Sequence, residues 1–145
     1  MTPSEAKLLL SYHSGRNADT ENPKWATGFL GSLRPYRGHL IEENSHEVIA
    51  CIHVLAPSLT ASPLIERNTV NDVMGIVHLG RAWGVNKRGM LRANSLIHEP
   101  DWRKLEEWVD IIAYTFIVVL DTDNAPEAYS AYDDYVRRDH DNDIR

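Results

Sequence analysis

The sequence predicts an all-α protein, a single-domain bundle of about five to six helices, two or three of them long. Three observations lead there. Apolar residues recur at three- and four-residue steps through 41–56, 70–83 and 102–119. Helix starts and stops are written out as Thr-Pro-Ser-Glu, Asn-Pro and Trp-Gly groups. No stretch alternates polar and apolar residues as a strand would. A chain of 145 residues is long enough for one domain with a core and too short for two comfortable ones.

Thr2-Pro3-Ser4-Glu5 opens the first helix, with Thr2 as N-cap and Glu5 reaching back to it, and the helix is expected over Ser4–Tyr12. Gly15–Asn22 is polar and reads as a loop. Asn22-Pro23 opens a second helix expected to reach Leu33 before Pro35 and Gly38 break it. Ile41, Val48, Ile49, Ile52, Leu55 and Ala56 mark a third, which Pro57 is expected to end. A fourth starts between Ser62 and Thr69, runs to Trp83, and has Gly84 as its stop. Asn86–Asn94 is a turn with a short helix. Pro100-Asp101 begins the longest helix, ending near Asp121, with Trp102, Leu105, Trp108, Val109, Ile112, Phe116 and Val119 on its core side. Asn124-Ala125-Pro126-Glu127 has the pattern of another capping box and leads into a helix bearing Tyr129, Tyr132 and Tyr135. Residues 137–145 are charged and expected to fray.

The formal net charge of −6 argues against a general nucleic-acid binder and permits a partner with a basic face. The single cysteine, Cys51, rules out an intrachain disulfide. The polar start is unlike a signal peptide, and the apolar run 111–120 is half of the roughly 20 residues a membrane span needs. Together these set the expectation of a cytoplasmic protein that avoids membranes. The same apolar run, or the tyrosine-bearing last helix, is the expected contact of a homodimer.

Arg81 carries the sharpest expectation. Val70, Met74, Val77 and Arg81 follow at four-, three- and four-residue steps and draw one helical stripe. A guanidinium within an apolar stripe needs an acceptor, because an unpaired buried charge costs several kcal/mol. His78 stands at the edge of that face. Glu42, His46 and His53 share a stripe on the preceding long helix. A short connection favours antiparallel neighbours, which would bring the two stripes together. The functional reading is an anion site of Arg81 and His78, supported by Glu42, His46 and His53, with Arg88 and Arg92 nearby. The bland reading is an Arg81–Glu pair that fixes helix register.

Glu43-x-x-His46 is one copy of the step repeated in di-iron carboxylate bundles; no second copy exists, so neither metal nor cofactor is expected. Arg92-Ala93-Asn94-Ser95-Leu96-Ile97-His98 resembles the Arg-x(4–6)-His motif of HEPN ribonucleases, which are all-helical and of similar size. That resemblance implies that Arg92 and His98 act on a scissile phosphate, although Ala93 stands where the family has a polar residue. Charge is also segregated: 80–98 holds Arg81, Lys87, Arg88 and Arg92 and no acid, whereas eight acids follow from Asp121 onward. The basic stretch suits a phosphate-bearing ligand and the acidic end a basic partner. With no nucleophile arrangement and no phosphate loop, the leading expectation is a small non-enzymatic inhibitor of the immunity-protein or anti-defence kind. A binder of phosphorylated or nucleotide-like anions is the alternative, and a HEPN-like ribonuclease the next.

Overall fold

Helix α1 (Pro3–His13) begins with the capping box its sequence spells: Glu5 N–H donates to Thr2 Oγ1 at 3.2 Å and Thr2 N–H to Glu5 Oε2 at 2.7 Å. The computed structural model describes residues 1–145. After α1 come α2 (Pro23–Thr27), α3 (Glu42–Thr60) and α4 (Arg67–Gly80). A π-helical turn (Arg81–Val85) extends α4, and the single-turn α5 (Met90–Ala93) precedes α6 (Glu99–Thr122). A 3₁₀ turn (Pro126–Tyr129) leads into α7 (Ser130–Asp143). No strand forms, and one hydrophobic cluster joins residues from Ala6 to Tyr135, so the all-α bundle is observed.

The layering differs from the expected one in a way that matters for the site. The backbones of α3 and α4 do not approach each other closely; α1 and α6 each pack against both. α6 runs antiparallel to α4, since Gly80 lies against Val109 while Gly84 lies against Leu105. A Cβ on Gly84 would come within 2.3 Å of Leu105 Cδ2, so this glycine permits close approach and does not stop the helix. The helical stretch therefore runs on through Val85.

Several boundaries move for local reasons. α2 ends at Thr27 because the His13 ring and backbone take the N–H groups of Phe29 and Leu30. Pro57 lies inside α3 on its exposed side, and Ser58 and Thr60 hydroxyls tie down the carbonyls of Leu55 and Ala56 around it. α4 starts at Arg67, inside the expected interval, with no side-chain cap from the preceding Glu66, and Thr69 is already helical and buried. The capping box at Asn124 does not form: Asn124 is left-handed (φ 65°), and its Oδ1 accepts from Tyr129 OH. Residues 137–143 are helical where a frayed tail was expected, and Arg138 pairs with Glu107 on α6.

Candidate functional site

Arg81 is not in the core. Val70 is only partly buried and Met74 is 46% exposed, so the stripe leading to Arg81 runs along the edge of α4, while Val73 and Ile76 face inward. The Arg81 guanidinium donates to Asp110 Oδ1 at 2.6 Å, and both side chains are open to solvent. Its acceptor is thus a surface carboxylate of α6, not Glu42 or Glu43. His78 is exposed. Because α1 and α6 separate α3 from α4, the expected pocket joining Arg81 and His78 to Glu42, His46 and His53 is not assembled.

The α3 half of that expectation acquires different company. Glu42 accepts hydrogen bonds from Tyr135 OH and from Lys104 Nζ (3.0 Å), and Tyr135 OH in turn accepts the Trp108 indole N–H at 3.0 Å. Burial pushes the Glu42 carboxyl up, but the hydrogen bonds from Tyr135 and Lys104 outweigh it and hold the group below its ordinary value. The chain Trp108–Tyr135–Glu42–Lys104 fastens α7 to α6 and α3. One turn along α3, His46 Nδ1 meets Tyr132 OH at 2.7 Å. His53 lies edge-to-face with Tyr129, ring centroids 5.0 Å apart.

These side chains span the gap between α3 and the C-terminal segment, whose backbones do not approach each other. They leave a groove of about 390 Å³, floored by Ile49 and Ala50, walled by His46, His53, Tyr129 and Tyr132, with Asp133 on its rim. Ala50 is exposed at the bottom; its small side chain keeps the groove open. Of the eight acids from Asp121 onward, only Asp134 is in an ion pair. A larger hollow of about 470 Å³ lies by Leu59–Pro63, but Asp123 is its one ionisable side chain and it holds no aromatic ring. The chemistry favours the α3/α7 groove.

A third histidine escaped the sequence reading. His13 is fully buried at the end of α1. Its Nδ1 accepts the Phe29 N–H at 2.9 Å, so the proton sits on Nε2, which faces Glu47 Oε1 at 2.8 Å. Lys24 Nζ reaches the same carboxylate at 2.6 Å. Burial lowers the His13 pKa, and the hydrogen bond from His13 leads in taking Glu47 down to about 2. Its partners lie 16 and 34 residues away, and nothing in the local sequence announces them.

Near the start of α6, Arg92 lies over Trp102 (3.8 Å), and Arg34 lies over Trp83 (5.5 Å). Arg92 also donates to the Val85 carbonyl at 2.9 Å. His98 is the exposed residue preceding α6, and Ser95, between the two, is left-handed (φ 55°). Arg92 and His98 therefore belong to separate elements, with Arg92 held by Trp102 and the Val85 carbonyl. Arg88 is exposed beside them. No group of three or more His, Cys, Asp or Glu is placed to hold a metal ion. Burial raises the Cys51 thiol to about 12, which keeps it unreactive. No helix is long and apolar enough to cross a membrane. Comparison with known protein families, with characterised proteins and with solved structures finds no match.

Proposed function

We propose that this chain is a non-enzymatic binding protein, a small cytoplasmic inhibitor of the immunity-protein or anti-defence kind, that grips a basic protein partner through the α3/α7 groove. The observation that carries the reading is the groove itself: an apolar floor, two histidines and two tyrosines as walls, and an acidic rim on the most acidic segment of the chain. Tyrosine and histidine supply large contact area with a polar tip, the usual composition of an interface anchor. The unpaired carboxylates around it favour a partner rich in Lys or Arg and speed its approach. An anion at His46 and His53 is disfavoured by the same acids.

Ala50→Trp and Asp133→Lys test this. Ala50 and Asp133 are both exposed, so each variant keeps the fold. Immobilised wild-type protein should retain a basic protein from its native lysate, and the purified partner should bind with an association rate that falls as salt rises. Both variants should weaken binding by about tenfold or more, the scale of a lost interface anchor. Capture indifferent to both substitutions, or a captured partner that is acidic, overturns the reading.

A further inference from the structure

The ion pairs of the molecule divide its cations unevenly. Eight of the fifteen Lys and Arg side chains sit within reach of a carboxylate. Of the seven that do not, Arg67 and Arg145 are isolated at the start of α4 and the C-terminus. Of the other five, Arg34 and Arg92 stack on Trp83 and Trp102, Lys87 and Arg88 stand on the turn after the π-helical segment, and Arg37 is exposed on the loop that carries Arg34. The Arg34–Trp83 contact ties the loop before α3 to the π turn. The Tyr36 hydroxyl donates to Asp101 at 2.7 Å and ties the same loop to the start of α6. Gly89 N–H donates to Asn86 O at 2.8 Å and Arg88 N–H to Asn86 Oδ1 at 2.9 Å, a tight turn that presents Lys87 and Arg88 to solvent beside Trp83.

We infer that this region is a second binding site, independent of the groove, and that it takes a small phosphate-bearing polyanion such as a polyphosphate or nucleotide. Three arguments converge. Five cations without carboxylates repel one another and are relieved by one multivalent anion. The guanidiniums of Arg34 and Arg92 lie against indole rings, and Arg92 also bonds the Val85 carbonyl, so both are ordered and less rotamer freedom is lost when phosphate oxygens arrive. The positive zone is short: Glu99, Asp101 and Asp110 border it on α6, and the molecule as a whole carries −6. A long strand would run onto negative surface, whereas a compact polyanion would not. The anion expected beside Arg81 thus moves to neighbouring residues, because Asp110 already neutralises Arg81.

Calorimetric titration of the full chain with sodium tripolyphosphate at fixed ionic strength tests this, with ATP, sulfate and a twelve-residue oligothymidylate as comparison ligands. Tripolyphosphate should bind saturably and more tightly than sulfate. ATP binding more tightly than tripolyphosphate assigns a nucleotide, and equal or weaker binding assigns the phosphate chain alone. Lys87→Glu with Arg88→Glu should weaken binding by about tenfold or more, whereas Arg67→Glu, also an unpaired cation, should change it less than about twofold. Ala50→Trp should leave it intact, so failure here and failure of the groove reading are separable. Absence of saturation, sulfate matching tripolyphosphate, equal effects of the double variant and Arg67→Glu, or binding by the oligonucleotide alone overturns the inference. Melting temperatures alongside wild type confirm that the variants are folded.

Discussion

Two histidine neighbourhoods involve α3, one packed against it and one on it, and they are built to opposite rules. At His13 every polar atom is spoken for: Nδ1 by the Phe29 N–H, Nε2 by Glu47, and the backbone carbonyl by the Leu30 N–H. The ring is sealed from solvent. At His46 and His53 the rings stand at the wall of a groove, held from one side by tyrosines and open on the other. A saturated, buried imidazole is architecture; a half-satisfied, accessible one is a surface awaiting a partner. Residue type does not separate the two cases, and the hydrogen-bond inventory does.

The contrast is broken most directly at the buried site. His13→Ala should destabilise the protein by about 3 kcal/mol, since it strands the Phe29 N–H and leaves a cavity; chemical denaturation measures it, and a loss below about 1 kcal/mol would put His13 in the same class as His46. Gly84→Ala should cost about 2 kcal/mol, because the fully buried Leu105 has no room to yield. Acid should act on the buried site as well. His13 and Glu47 both have folded-state pKa values below their ordinary ones, so the unfolded chain binds more protons at low pH. Stability present above about pH 6.5 should therefore be lost as pH falls through the His13 range, with a further loss from about 4.5 toward 2 as Glu47 is protonated. Melting curves in wild type and His13→Ala separate the two phases, and the variant should lack the first. At the open site, Ala50→Trp should move stability by no more than about 0.5 kcal/mol while abolishing partner capture. Arg81→Ala should be the mildest, within about 0.5 kcal/mol and with the fold unchanged, as expected of an exposed ion pair.

What the sequence discloses follows from the range of the interactions. The Thr2–Glu5 box and the core side of α6 are set by residues within one or two turns, and both are found as read except Trp102, which is half-buried beneath Arg92 and Arg103. The grouping of Glu42, His46 and His53 on one side of α3 is likewise a matter of helical period. Which helix faces them is a tertiary fact. A short connection points to α4, yet the C-terminal segment takes that place through Tyr129, Tyr132 and Tyr135, whose three-residue spacing is the one signal in the sequence that names them. Arg81 lies at the surface because Met74 and Val70, which its periodicity places in the core, line an edge of α4. The basic region was half visible, as residues 80–98 without an acid; Arg34 and Arg37 join it only through the contact with Trp83.

The separation of α3 from α4 has a consequence for how perturbations combine. With no close backbone approach between them, each is joined to the other chiefly through α1 and α6. Substitutions on the core sides of α3 and α4 should therefore add, whereas a substitution on α1 paired with one on either should show an interaction energy. α1 and α6 are then the pieces through which the two sides of the bundle answer to each other.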